Sequence, residues 1–139
     1  MLRKLIVDAG PIVAYLDRND AQHSWAVAQF ERFTGFETCD AVLAEACARL
    51  TYGRLEPVRA VKLVTEGVLK LTFDLAANIS RVEWFMEKYA DAPMDLADAC
   101  LVLMTEEEEH SLVLTLDHND FSTYRRNGRD VVPFLSPKS

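Results

Sequence analysis

The stretch Pro93-Met94-Asp95-Leu96-Ala97-Asp98-Ala99-Cys100-Leu101-Val102-Leu103-Met104 constrains this chain more than any other. From Leu96 to Met104 every residue is apolar or small except Asp98. A run that apolar reads as a helix buried on most of its sides. A carboxylate inside it is costly unless a hydrogen-bond donor, a base or a metal ion answers it. Pro93 stops whatever precedes it, Asp95 can cap the first free N–H groups, and Asp98 falls three residues later. Two readings follow. Asp98 completes a capping box by folding back onto the amide of Asp95, or it is one of several acids gathered at a site. Whether other carboxylates reach the same end of the fold decides between them.

The chain has 139 residues, 50% hydrophobic and 27% charged, enough for one domain spanning 1–139 with a real core and a mobile tail at 136–139. No low-complexity stretch or internal repeat is visible. Met1–Val7 is too short for a signal peptide, and no apolar run reaches spanning length. Cys39, Cys47 and Cys100 lack any CxxC spacing and read as reduced, buried side chains of a cytoplasmic protein. The net charge of −7 argues against a nonspecific nucleic-acid coat, but it is compatible with a site where cations cancel clustered carboxylates.

In chain order, Leu5-Ile6-Val7 reads as a buried parallel strand ended by Asp8, with a helix beginning near Pro11. Asp8 is then either that helix's N-cap or a residue placed where open parallel sheets bind ligands. A helix with Trp25, Val27, Phe30 and Phe33 inward and a short strand Phe36–Cys39 follow. Asp40 caps a helix whose Leu43, Ala46, Cys47 and Leu50 face the core and which Gly53 closes. Glu45 lies beside that stripe and can also form a surface ion pair with Arg49 at i+4. Pro57 opens a helix carrying Val58, Val61, Leu63 and Val64, and Val68–Phe73 alternates as a strand. Asp74 caps a helix with the seam Leu75, Ile79, Val82, Met86 and Tyr89, where Trp84 and Phe85 are core or dimer contacts. Glu106–Glu109 oppose the macrodipole and read as a solvated, fraying end. Leu112–Leu116 is a buried strand ended by Asp117, and Val131–Phe134 is a last, edge strand. Strands alternating with helices give a three-layer α/β/α sandwich.

In such a sheet, strand C-termini and helix N-termini share one edge, so Asp8, Glu45, Asp98 and Asp117 can converge there. Like-charged carboxylates in one pocket raise each other's pKa unless a cation holds them together. All-oxygen ligands select Mg²⁺ or Mn²⁺ over zinc, and His23, His110 and His118 show no zinc-like spacing.

The ordered set Leu5-Ile6-Val7-Asp8, Val42-Leu43-Ala44-Glu45, Leu96-Ala97-Asp98-Ala99 and Leu114-Thr115-Leu116-Asp117 resembles the PIN-domain nucleases. The length and Asp120-Phe121 are most similar to the VapC-type toxins of toxin–antitoxin pairs. The resemblance implies a five-stranded, mainly parallel sheet and a Mg²⁺- or Mn²⁺-dependent endoribonuclease. It also implies a homodimer neutralised by an antitoxin whose amphipathic helix and extended segment cover the acidic groove. On this reading Asp8, Glu45 and Asp98 hold the ion, and Asp117 binds a second ion or orients water. The chain departs from many relatives in having Ala9-Gly10 where hydroxyl residues follow the first Asp, so that a supporting hydrogen bond is either missing or comes from Thr115. Asp120 stands one residue further from Asp117 than in many relatives, and Asp95 is a cap or an outer partner. Arg49, Arg54, Arg125, Arg126 and Arg129 are candidates for guiding RNA, each otherwise a solubilising surface charge.

Other classes remain open at this level. A receiver domain of a signalling relay also binds Mg²⁺ through acids at strand ends, but it wants paired acids after the first strand and a late Lys. A non-catalytic PIN-like interaction module would keep the fold without the metal. A haloacid-dehalogenase-type phosphatase needs Asp-x-Asp, which Asp8-Ala9-Gly10 lacks.

Overall fold

The computed structural model describes residues 4–137. It contains β1 (Lys4–Val7), α1 (Ala9–Leu16), α2 (His23–Arg32), β2 (Phe36–Thr38), α3 (Asp40–Tyr52), α4 (Val58–Thr65) and β3 (Leu69–Leu71). There follow a 3-10 turn (Ala76–Asn78), α5 (Ile79–Lys88), α6 (Leu96–Glu107), β4 (Ser111–Leu114), α7 (His118–Thr123), β5 (Arg125–Arg126), β6 (Asp130–Val131) and β7 (Phe134–Leu135).

Five strands form one sheet in the order β3-β2-β1-β4-β7, every pair parallel. β1 is central, which is why all four of its residues are buried and why its sequence is an unbroken apolar run after Lys4. The chain moves outward from β1 to β3, then returns to place β4 on the other side of β1. Right-handed crossovers therefore set α1–α4 on one face, where α1 packs on α2, α3 and α4, and α5–α6 on the other, packed together. The expected α/β sandwich with a parallel five-stranded sheet is what forms. The order also excludes a receiver domain, whose sheet runs 2-1-3-4-5. A reversal between β1 and β4 opens a crevice beyond their C-terminal ends.

Several local expectations change. Asp40 is the first residue of α3 rather than its cap, a place taken by Cys39. In α4 it is Ala60 and Leu63 that are buried, while Val58 and Val61 face outward. Asp74 accepts from the Ala77 N–H, but the 3-10 turn tightens the chain before α5, so Phe85 joins Val82 inside and Ile79 is left 53% exposed. Cys39 and Cys100 are free and buried as expected, whereas Cys47 is only half-buried.

Glu106 is no fraying acid. Its two oxygens accept from Arg81 Nη2 at 3.0 and 3.2 Å, and Oε2 accepts from the Asn127 N–H. Val131–Phe134 is split: Asp130–Val131 pairs antiparallel with β5, and only Phe134–Leu135 joins the sheet beside β4. The cause is the Asn127-Gly128 turn, with both residues at positive φ and Arg126 C=O accepting from Arg129 N–H at 3.2 Å. Asn-Gly between extended segments is a strong hairpin signal, and it was legible in the chain. Ser136, expected in the mobile tail, is buried, with Oγ 3.2 Å from His118 Nδ1. Positions 138–139, and the first three residues of the Met1–Val7 segment, lie outside the described residues.

Candidate active site

The crevice at the β1/β4 reversal is a cleft of about 340 Å³ lined by Asp8, Gly10, Glu45, Arg49, Pro93, Asp95, Asp98, Leu116, Asp117 and Asp120. All four acids expected to converge are there, with Asp95 and Asp120 beside them.

Asp8 follows β1 and caps α1 at once: Oδ1 accepts from the Ala9 N–H at 2.7 Å and Oδ2 from Thr115 Oγ1 at 2.8 Å. The cap and the site are therefore the same residue. The strand register explains the partner, because Val7 sits opposite Leu114 and the next residue on each strand is Asp8 and Thr115. Thr115 is fully buried and also accepts from the Asp117 N–H at 3.0 Å, so one hydroxyl ties two acids together. Burial pushes the Asp8 pKa up to about 6, and Glu45 adds repulsion, against the two hydrogen bonds and the charge of Arg49, which lower it.

At the start of α6, Asp95 is the N-cap and accepts from the Asp98 N–H at 2.8 Å. The reciprocal half of a capping box is absent: Asp98 Oδ2 instead accepts from Tyr124 Oη at 2.8 Å. Asp98 is 8% exposed, and burial raises its pKa to about 7, with Asp95, Asp8 and Asp117 repelling its charge and only the tyrosine bond opposing. The Tyr124 hydroxyl is held well above its ordinary pKa by burial and by that carboxylate. Asp117 caps α7, accepting from the Asp120 N–H at 3.2 Å. Asp120 is pushed up to about 6 chiefly by a hydrogen bond between its carboxyl and that of Asp117. Glu45 Oε2 lies 2.7 Å from Arg49 Nη2, so the surface ion pair and the site also coincide.

Two contributors were not anticipated. Tyr124 is fully buried, edge-on to Tyr89 and Phe121 with ring centroids 5.3 Å away in both cases, and no sequence signal marks it as the donor to Asp98. We predict that Tyr124→Phe raises the Asp98 pKa further, because the lost bond favoured the ionised form. A carboxyl NMR titration should show an upward displacement of about half a unit or more. Gly10 is the other. A Cβ there would meet Leu116 Cγ at 2.9 Å, so the first turn of α1 can pack on the segment leading to Asp117 only without a side chain. Gly10→Val is expected to cost about 2 kcal/mol in denaturant unfolding by overpacking.

Of the five candidate RNA-guiding arginines, Arg49 alone lines the cleft. Arg125 Nη1 donates to the Ser122, Thr123 and Tyr124 carbonyls at the end of α7. Arg126 donates to the Thr105 and Glu109 carbonyls at the end of α6. Arg129 is 88% exposed with Nε 3.8 Å from Asp130, and Arg54 adopts positive φ just beyond α3.

The donors are all carboxylates, the chemistry of a hard divalent cation. Among the described residues no three His, Cys, Asp or Glu side chains form a group placed to hold a metal ion between them. An open carboxylate cleft suits Mg²⁺, which keeps several waters and takes one or two carboxylates plus substrate phosphate, rather than a closed protein cage. The residues present fit such an ion.

No helix among the described residues is long and apolar enough to cross a membrane. No protein-family model matches the chain, and no curated protein matches it significantly in sequence. Among solved structures, it is similar to VapC20 of Mycobacterium tuberculosis, a sarcin-ricin loop cleaving toxin. The two share 16% identity and superpose with a TM-score of 0.74 over 84% of this chain and 92% of that one. The chain therefore has a PIN-like α/β fold, the architecture of VapC20.

Proposed function

We propose that the chain is a Mg²⁺- or Mn²⁺-dependent endoribonuclease, acting as the toxin of a cytoplasmic toxin–antitoxin pair. The observation that carries this reading is the meeting of Asp8, Glu45, Asp98 and Asp117 in one cleft at the sheet's reversal point. The likeness to a toxin that cleaves the sarcin-ricin loop supports RNA as the substrate class. A bound ion would polarise the phosphoryl oxygen and lower the pKa of an attacking water, giving 5′-phosphate and 3′-hydroxyl ends.

The chain's own residues prepare that chemistry. Asp8 and Asp98 present carboxylates whose desolvation makes a cation welcome. Thr115 and the Ala9 N–H hold the two oxygens of Asp8, and Tyr124 holds one oxygen of Asp98, so both carboxyl groups are fixed in place at the cleft. Asp117, exposed at the cleft beside the half-buried Asp120, can orient water or take a second ion. Arg49 is the cation placed to meet RNA phosphate. A basic residue of an antitoxin segment would fit the same acidic cleft, and a homodimer is the assembly expected.

The test is cleavage of a mixed RNA pool with Mg²⁺ or Mn²⁺ by wild type and Asp8→Asn. Metal-dependent cutting lost in the variant is the expected result. Absence of both metal binding and cleavage would favour the non-catalytic module.

A further inference from the structure

Six carboxylates and one guanidinium line the cleft. That guanidinium, on Arg49, contacts Glu45 at 2.7 Å one turn back along α3. The Arg49 side chain is 53% exposed and that of Glu45 29%, so packing does not lock the pair. Solvent-exposed helical Glu–Arg pairs at this spacing are weak, which makes this one easy to open. It differs from an ordinary surface pair in its setting, because Glu45 is also one of the acids facing the common cleft. A guanidinium N–H and a divalent ion both bind carboxylate lone pairs, and an oxygen engaged by one is poorly placed for the other.

We infer that Arg49 is the resident counter-ion of the cleft, and that the Glu45–Arg49 pair must open before Glu45 can ligate a divalent cation. The inference rests on the cation-binding reading of the cleft. It makes ion binding and the ion pair mutually exclusive. Arg49 is thus a positioning residue for Glu45 in the ion-free protein. Once displaced, its side chain is free to turn toward the mouth.

The experiment is Mn²⁺ binding to the full chain without RNA, read from the paramagnetic resonance signal of free Mn²⁺. It compares wild type, Arg49→Gln, Glu45→Gln and the double variant. Arg49→Gln is expected to tighten Mn²⁺ binding about two- to threefold in the wild-type background and to leave affinity nearly unchanged in the Glu45→Gln background. The same tightening in both backgrounds would mean that Arg49 acts only through its long-range field, and the inference falls. No tightening in either background overturns it as well. Absence of Mn²⁺ binding by every variant, with melting profiles intact, overturns the cation site itself and this inference with it.

Discussion

Asp98→Asn is expected to make the protein more stable and to abolish its activity. The asparagine keeps the shape and can still accept the Tyr124 hydroxyl, but it carries no charge into a site that already holds five other carboxylates. The sign follows from linkage. Asp98 has an ordinary pKa near 3.8 and about 7 in the folded chain, so the folded state binds the proton more tightly. Its contribution to stability is most favourable below pH 4, falls as pH rises through this window, and is least favourable above pH 7. The advantage of Asp98→Asn over wild type should therefore be near zero at pH 4, grow between pH 4 and 7, and level off above. Allowing for partial solvent screening, the plateau should be about 1–3 kcal/mol, read as a rise in melting temperature of several degrees. Cleavage of RNA should fall about a thousandfold, the scale of losing a charged group that acts on the transition state. Mn²⁺ at pH 8 should raise the wild-type melting temperature and leave that of the variant nearly unchanged. A variant that is less stable than wild type at pH 8 would show that the Asp98 charge stabilises the fold rather than straining it.

Thr115→Val is expected to have the opposite effect on stability, lowering it together with activity. The hydroxyl is fully buried, donates to Asp8 Oδ2 at 2.8 Å and accepts from the Asp117 N–H at 3.0 Å. Valine fills the same volume but leaves a buried carboxylate oxygen and a backbone donor without their partner. The cost should be about 2–3 kcal/mol in urea unfolding at pH 8, the scale for hydrogen bonds to charged groups. Cleavage should drop roughly ten- to a hundredfold, as when the outer partner of a metal ligand is lost. Thr115→Ser restores the hydroxyl and should recover most of both losses. If valine is tolerated and serine brings no gain, the bond from Thr115 does not organise Asp8.

These two variants separate a common ambiguity. An acid at a strand end or a helix start reads as a cap when taken alone, and in this chain most of the caps are real. Asp8 caps α1, Asp95 caps α6 and Asp117 caps α7. Capping uses one oxygen against a backbone N–H and leaves the carboxylate's charge in place, with the second oxygen open to another partner, as Thr115 is for Asp8. Local capping therefore does not argue against a site. Only the common address of the acids does the deciding.

The chain itself determined the layout of the fold. Unbroken apolar runs at Leu5–Val7 and Leu112–Leu114, helical periodicity between strands, and an acid after β1 all act within a few residues, so they are legible locally. The acids fell at one sheet edge because parallel topology leaves no other place for strand C-termini. The family resemblance had already offered Thr115 as a donor to Asp8, 107 residues away, and helix spacing had offered Arg49 to Glu45. Tertiary structure alone brought Tyr124 to Asp98 across 26 residues. It likewise turned Glu106 from a solvated charge into the partner of Arg81 and Asn127, and gave Arg125 and Arg126 to helix-end carbonyls. Such pairings depend on which elements pack side by side. Periodicity along the chain carries no record of a neighbour reached only by folding.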